Sequence, residues 1–368
     1  MKEICLKQGR IVEKKKIELS LGQIEVNTSH PLANMEVPYK ISPYFQELQV
    51  YLGQTLDYKS AVEVGKKFLL NASLDDSQLN RLCNYYGSLQ ETEDLVKEVA
   101  INPDPLENEE DPSISYVGVD GHFLLTDDGW EEVKLGRVFS SKDIVFGKKS
   151  PDIQRVRNQI QHSNYLAHHG NCEKFIENFD NLLNDYVSEN ELEEKKMVLL
   201  SDGAIWIDNW QKKHEIEWIA ILDYYHVSEK IYEIANMFLS KKKEEKKTWA
   251  EENCELILVG NLDEVIKQIG NLKSTDNDKL EKRNKLINHF EKNRERMNYP
   301  EFLNQGLYIG SGFIESAHKY VVQKRMKMSG QRWGTGLQSM LNLRCCSHSN
   351  KWGKMISIIN EQCFNKAA

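Results

Sequence analysis

The chain has 368 residues, a net charge of −8 and a sequence pI of about 5.8. Its apolar fraction of 40%, with 9% aromatic residues, is enough to form packed cores and excludes a disordered protein. The length allows two or three domains. The acidic balance excludes a uniformly cationic surface, although an uneven distribution of charge still permits nucleic-acid binding.

The seven cysteines are scattered and form no CxxC pair, so a zinc ribbon has no visible ligands. Such a count fits reduced thiols in a cytoplasm. The first residues, Met1–Lys7, contain no apolar signal region. No run approaches the ~18 apolar residues that a membrane span needs. We therefore expect a soluble cytoplasmic protein without a membrane partner.

Residues 1–40 contain a predicted β-hairpin, because apolar and polar residues alternate on both sides of Gly22. Residues 41–100 are predicted to be helical. A first helix follows Pro43, and a second spans Tyr58–Leu70 with Phe68 on its apolar face. A third helix begins after an N-cap at Ser73.

The last two of these helices match either a helix-turn-helix or a plain helical bundle. In a helix-turn-helix, Gln78, Asn80 and Arg81 would be exposed to read DNA.

Residues 101–112 are rich in proline and carboxylates and are predicted to be a linker. A hairpin follows, in which Tyr116–Leu125 and Trp130–Phe139 are joined through an Asp-Gly pair. A helical pattern then carries the apolar residues Ile153, Val156, Ile160, Ile176, Phe179, Leu183 and Tyr186. Met197–Ser201 and Trp218–Leu222 are two short strands, each followed by a helical pattern.

A hairpin, a helix, a strand, a helix and a further strand is the order of an RNase H-like sheet. We therefore predict an α/β fold whose core occupies residues 113–227. An all-α insertion is predicted at 228–305, and the remaining residues 306–368 are predicted to hold a helix and a basic region.

Three acidic residues lie at the edges of apolar runs: Asp120, Asp202 and Glu315. Carboxylates on two strands and one helix can hold two Mg²⁺ ions about 4 Å apart for phosphoryl transfer on a nucleic acid. Each also has a simpler interpretation. The two Asp-Gly pairs can be turns, and Glu315 can be a first-turn residue favoured by the helix dipole.

No Asp or Glu occurs between Ser316 and Asn360. That stretch carries Lys319, Lys324, Arg325, Lys327, Arg332, Arg344, Lys351 and Lys354. It predicts contact with a phosphate backbone, or otherwise a solvated basic helix. Trp333 lies among these cations and either stacks on an unpaired base or packs in the core.

Four ordered blocks resemble transposases of bacterial insertion sequences in the Mutator-like group, closest to the Kra-type family. They are Val119-Asp120-Gly121 with Gly129–Gly136, Ser201–Ile207, Ile221–Glu229, and Gly310–Ser316 with Lys324–Met326 and Ser329–Trp333. The resemblance covers roughly residues 40–355.

The resemblance implies a DDE transposase that catalyses DNA end cleavage and strand transfer. Asp120, Asp202 and Glu315 are then the ligands of two Mg²⁺ or Mn²⁺ ions, and Asp120 contacts both. Asp223 and His226 match the Asp/Cys-x-x-His signature of the group. Their implied role is to position DNA or to support the metal ligands. Alternatively, they only cap the helix that follows the strand. The expected partners are double-stranded DNA, both element ends and target, and further copies of the chain. The expected location is the nucleoid.

The family usually begins with a cysteine-bearing segment, which this sequence lacks. A truncated, non-catalytic DNA-binding remnant of a transposase and a simple RNase H-like nuclease are therefore the alternative functions.

Overall fold

The structure is a computed structural model. It describes residues 4–7, 10–35, 39–69, 72–89, 114–145, 159–189, 197–214, 217–239 and 242–364. The predicted linker at 101–112 and the residues Ile153 and Val156 lie outside this part of the chain. None of the helices within it has both the length and the apolar character required to cross a membrane.

A small antiparallel sheet opens the chain. Its strands are β1 (Ile4–Lys7), β2 (Arg10–Leu19) and β3 (Gly22–Asn27). Residues Leu19 and Gly22 pair at the turn, where Gly22 has a φ of 118°. This confirms the predicted hairpin. Ile17, Val26 and Ala33 form a small core beneath it.

Three capped helices follow: α1 (Pro43–Thr55), α2 (Tyr58–Phe68) and α3 (Asp76–Gly87). The three predicted helices are confirmed, with two corrections. The third is capped by Asp75, whose carboxylate accepts from the Gln78 amide at 2.8 Å, and not by Ser73. Phe68 is 79% exposed because it lies at the last position of α2.

The centre of the protein is a five-stranded mixed sheet. Along the chain the next strands are β4 (Ser115–Thr126), β5 (Gly129–Ser140), β6 (Ile144–Val145), β7 (Gln159–Ile160), β8 (Asn164–His169), β9 (Met197–Ser201) and β10 (Trp218–Leu222). The spatial order is β10-β9-β4-β5-β8, while β6 pairs separately with β7. Strands β9 and β10 run parallel to β4, and β5 is antiparallel to both β4 and β8. The mixed α/β class, the hairpin and both short strands are thus confirmed.

Strand β8 was not predicted, and the helix proposed around Ile160 is wrong for that residue. Ile160 lies in β7 and pairs with Ile144. The alternating pattern of β8 is weak because both faces are covered. One face meets α4 (Cys172–Glu189), and the other meets a C-terminal helix. Burial on both sides removes the polar face that marks a strand in sequence.

The described residues between 224 and 304 are helical apart from short connections. The short α5 (Ile205–Gln211) follows β9. The helices after β10 are α6 (Tyr224–Phe238), α7 (Lys243–Leu258), α8 (Leu262–Gly270), α9 (Asn277–Lys292) and α10 (Tyr299–Asn304). This confirms the helical character predicted for 228–305. Its buried residues Ile231, Ile257 and Phe290 belong to the same core cluster as one face of the sheet.

A helical segment then crosses the sheet. It consists of α11 (Gly312–Ala317), a π-helical turn (His318–Gln323) and α12 (Lys324–Met326). Two longer helices end the chain, α13 (Leu337–His348) and α14 (Trp352–Phe364). Helix α13 packs on α3 so closely that a Cβ at Gly87 would overlap the Ser339 carbonyl. The N-terminal and C-terminal helices therefore share one packing unit.

Three buried arginines fasten the crossing segment. Arg137 of β5 donates through Nη1 to the Phe313 carbonyl at 2.7 Å and through Nε to Ser163 Oγ at 3.0 Å. Arg325 donates through Nε to the Gly53 carbonyl at 2.9 Å, with its guanidinium 4.8 Å from the Tyr58 ring centre. Oxygens and aromatic faces surround both guanidinium groups, although Arg325 Nη2 has no hydrogen-bond partner among the described residues.

Arg344 of α13 reaches the π-helical turn from below. Its Nε donates to the Val321 carbonyl at 2.7 Å, and Nη2 donates to the Tyr320 carbonyl. Its Nη1 donates to the Gln54 carbonyl at 2.9 Å, which ties the turn to α1. Burial lowers the pKa of Arg344 to about 10, so the side chain keeps its charge near neutral pH.

We expect Arg344→Met to lower the free energy of unfolding by about 3 kcal/mol, because methionine fills the volume but leaves buried carbonyls without donors. Urea unfolding followed by circular dichroism measures this. The exposed Arg332→Met variant should change stability by less than about 0.5 kcal/mol. A loss below about 1 kcal/mol for Arg344→Met would show that the turn does not depend on this side chain.

Candidate active site

Asp120 lies inside β4, paired with Leu135 of β5. The adjoining Asp120-Gly121 pair is therefore not a turn. Alternation along the strand places Gly118 and Asp120 on the same face. A Cβ at Gly118 would overlap the Phe313 ring, so α11 crosses directly over β4 at this point. Asp120 thus faces the element that carries Glu315.

Asp202 directly follows β9, at the carboxyl edge of the parallel strands. Its Oδ1 accepts from the Ala204 amide at 2.9 Å, which forms a turn before α5. Gly203 has a φ of 79°, a conformation that L side chains rarely adopt. This Asp-Gly pair is a turn, as the simpler interpretation proposed, and it also holds the carboxylate at the sheet edge.

Glu315 is exposed in the first turn of α11. Its Oε1 lies 3.3 Å from Ser311 Oγ. Ser311 occupies the N-cap position, as predicted, but its hydroxyl does not cap its own helix. It donates instead to Asp223 Oδ2 at 2.5 Å.

Asp223 is 4% exposed and connects the end of β10 to the start of α11. Its Oδ1 accepts from the amides of Tyr225 and Ser311, at 3.1 and 2.8 Å. Its Oδ2 accepts from the His226 amide at 3.3 Å in addition to the Ser311 hydroxyl. Asp223 therefore caps α6 and simultaneously holds the segment that carries Glu315.

The acidic residues form one electrostatic cluster. The pKa of Asp120 is raised to about 6, mainly by burial; the Gly121 amide hydrogen bond lowers it, and the negative charges of Asp202, Glu315 and Asp223 add smaller upward shifts. Such repulsion is relieved when a cation binds between carboxylates.

The residues fit a hard divalent cation by their chemistry, because they offer carboxylate oxygens at a site of concentrated negative charge. Within the described ranges, no group of three or more His, Cys, Asp or Glu side chains is arranged so that it could hold a metal ion. Mg²⁺ commonly takes only one or two protein carboxylates, with water and substrate phosphates as its other ligands.

Two histidines that the sequence analysis did not select lie next to Asp120. His318 is 2% exposed, and its Nε2 lies 3.2 Å from the Asp120 carbonyl and 3.6 Å from Oδ2. Burial lowers the pKa of His318 to about 4, so it is neutral near pH 7. His122 contacts Lys327 Nζ through Nε2 at 2.7 Å. Spacing offered a signal for both, since they lie two residues after Asp120 and three after Glu315.

His226 and the unpredicted His289 lie on the Asp202 side. His226 is half-buried, with Nδ1 3.8 Å from Glu229 Oε2. Burial lowers the pKa of His289. The positive charges of Lys230 and His226 lower this pKa further, and the negative charge of Asp202 raises it. The α9 helix of the predicted insertion therefore brings an imidazole close to the turn at Asp202.

The basic tract divides into exposed and buried residues. Lys319, Lys324, Lys327 and Arg332 are exposed, so they remain available to a phosphate backbone. Arg325 is 2% exposed and holds the Gly53 carbonyl, and Trp333 is 8% exposed with its indole N–H donating to the Met326 carbonyl at 2.9 Å. Both are therefore corrected to packing residues and removed from the predicted DNA-binding set.

Helix α3, which was predicted to read DNA, packs largely against other helices of the protein. Gln78 is half-buried and donates to Gln49 Oε1 at 2.7 Å, so it is not an exposed reader. Arg81 and Asn80 are exposed. Asn80 lines a groove of about 330 Å³ together with Arg332. The packing of α3 on α1 and α13 is that of a bundle, with one polar edge left open.

No known family model matches this chain, and comparison with curated proteins also finds no match.

Ser311→Ala should lower the free energy of unfolding by about 2 kcal/mol, because the buried Asp223 carboxylate loses its hydroxyl donor. Chemical denaturation provides the measurement. Ser316→Ala is the matched control, since that hydroxyl donates only to the Phe313 carbonyl of its own turn. Equal effects of the two substitutions would contradict a special link through Ser311.

Asp120→Asn should stabilise the metal-free protein above pH 6 by about 1 kcal/mol, a value reduced by screening because the Asp120 side chain is 40% exposed. The folded pKa is raised, so the wild-type protein loses stability as pH rises from about 4 to about 6, where the carboxyl ionises more readily in the unfolded state. Below about pH 4 the carboxyl is protonated in both states, and the gain disappears.

Unfolding midpoints in chelator at several pH values measure this difference. Asp128→Asn, at the exposed hairpin tip, should show no such pH-dependent gain. A stabilisation by Asp120→Asn that is independent of pH would argue against repulsion within the acidic cluster.

Proposed function

We propose that this protein is a metal-dependent DNA transposase of the DDE type, similar to the Mutator-like group. The observation that carries the proposal is the electrostatic coupling of Asp120 to Asp202 and Glu315. These carboxylates come from a strand centre, a strand end and a crossing helix, and they are 82 and 113 residues apart in sequence order. Their mutual electrostatic influence supports the proposal, because the resemblance implies an Asp, Asp, Glu set that acts together.

The sheet supports an RNase H-like core. A hairpin is extended by a third antiparallel strand on one side and joined to two parallel strands on the other. The location of Asp120 on the first strand and of Asp202 after β9 supports the proposal that they are the catalytic aspartates. The helical stretch between β10 and α11 then corresponds to the all-α insertion.

Asp120, Asp202 and Glu315 are the residues that would hold Mg²⁺ or Mn²⁺, as two ions. When bound, the ions would activate a water or a 3′-hydroxyl and stabilise the leaving oxygen. The chain itself contributes orientation. Asp223 and Ser311 fix the start of α11, and His318 donates from Nε2 to the backbone of the strand that carries Asp120.

The exposed cations extend from the acidic cluster along the chain. Lys319 lies four residues after Glu315, one helical turn away in sequence, and Lys327 is close to His122 on the Asp120 strand. Phosphates attracted by these lysines would lie beside the carboxylates. Insertion-sequence ends and target DNA, bound by several copies of the chain, are the proposed substrates.

Asp202→Asn should abolish Mg²⁺-dependent DNA cleavage while leaving DNA affinity within about twofold, because the amide keeps the turn but loses the anionic ligand. Nicking of supercoiled plasmid that carries the element ends, with parallel gel-shift binding, measures both properties. Asp128→Asn should nick like the unaltered chain.

The products separate the related functions. Strand-transfer products indicate a transposase, and cleavage without joining indicates an RNase H-like nuclease. Binding without cleavage by the unaltered chain indicates a non-catalytic remnant. Undiminished nicking by Asp202→Asn would remove that carboxylate from the proposed mechanism.

A further inference from the structure

A cleft of about 860 Å³ opens beside Glu315, between α6 and the start of α11. This volume lies in the range of small-molecule sites and is sufficient for one nucleotide. Its lining includes Tyr225, Tyr232, Glu229, Glu233, Asn236 and Glu315. The acidic cluster uses only Glu315 of this set, so the remaining side chains lack an assigned role.

Tyr225 is the most distinctive side chain of the cleft. It is 55% exposed although it follows Asp223 by only two residues. A Cβ at Gly310 would overlap the Tyr225 ring, and one at Gly312 would lie 3.8 Å from its Cε2 atom. The absence of a side chain at Gly310 therefore lets the aromatic ring lie against the backbone that leads to Glu315, whereas a Cβ at Gly312 would make only an ordinary contact.

The backbone of Tyr225 is also fixed. Its amide donates to Asp223 Oδ1, the same oxygen that accepts from the Ser311 amide. One carboxylate thus holds both the tyrosine and the segment before Glu315. The ring rests on the Gly310 backbone and follows a backbone that Asp223 holds. Such a ring loses little conformational freedom when a planar ligand stacks on it.

The charge of the lining selects the type of ligand. Glu229, Glu233 and Glu315 are acidic, and no lysine or arginine is among the described residues that line the cleft. A phosphate is repelled there. A nucleobase fits better, because its faces stack on tyrosine while its ring N–H or amino groups donate to carboxylates.

We propose that Tyr225 is the stacking platform for one unpaired DNA base adjacent to the cleaved phosphate. This inference rests on the proposed function and adds a feature of its substrate. The base must be unpaired, since a base within a duplex is already stacked on both faces. The phosphates of that strand would follow the exposed lysines, and the base would enter the acidic cleft.

Photo-crosslinking with full-length protein tests this inference. The probe is a DNA duplex with a single-stranded overhang that carries 5-iodouracil at one overhang position in each of a series of oligonucleotides. After irradiation, mass spectrometry identifies the attached residue. We expect the probe to attach to Tyr225. The Tyr225→Leu variant should bind the overhang about tenfold more weakly, and Tyr225→Phe should bind it with near-normal affinity.

Tyr44→Leu is the matched control, because Tyr44 is 65% exposed on α1 and does not line the cleft. It should crosslink like the unaltered chain. Equal attachment when 5-iodouracil is paired in a blunt duplex would overturn the requirement for an unpaired base. Full competition by thymidine monophosphate at the probe concentration would show a free-nucleotide site and overturn assignment to DNA.

The two proposals fail in different ways. If Asp202→Asn still nicks DNA, the catalytic assignment fails, whereas attachment to Tyr225 would still stand. If cleavage depends on Asp202 but the crosslink maps outside the cleft, the stacking inference alone is wrong.

Discussion

The structure depends most on burying three arginines without carboxylate partners. Arg137, Arg325 and Arg344 take their acceptors from backbone carbonyls and a hydroxyl, and each contacts the segment 312–326 or anchors that segment to another element. Hydrogen bonds to its donors stabilise a buried guanidinium, so these contacts leave the segment little freedom to shift. Glu315 has a long and exposed side chain, but the helix beneath it is fixed from three directions.

A second constraint acts at the other end of the same helix. Asp223 accepts four hydrogen bonds, shared between the first turn of α6 and Ser311. The arginines therefore fix where the crossing segment lies on the sheet, and Asp223 fixes where it begins. Together, the arginines and Asp223 hold Glu315 on the side of the sheet that carries Asp120, despite the repulsion between these carboxylates. Strong local bonding that compensates for crowded like charges is a common property of functional sites.

Local patterns explain what was predictable. The hairpin from Tyr116 to Phe139 follows from apolar runs around an Asp-Gly turn, and the strand at 197–201 from a short apolar run between helical patterns. The acidic residues could be selected because they lie at the ends of such runs. By contrast, β8 has no polar face, and the burial of Arg325 depends on Gly53, 272 residues away in the chain. Contacts at that separation leave no trace in composition or spacing, so cations that look alike in sequence separate into surface and core only after folding.

The π-helical turn between Glu315 and Lys324 changes which side chains lie on the same face of the helical segment 312–326. A π-helical turn holds more residues than an α-helical turn, so it introduces a phase shift into an otherwise continuous helix. A helical wheel drawn through 312–326 would misassign faces after His318. The carboxylate thus belongs to one phase of the helix and Lys324 and Arg325 to another, with Arg344 holding the carbonyls at the junction. Gaining or losing a single residue there would rotate the residues that follow by about 100° around the helix axis while leaving the helix itself intact.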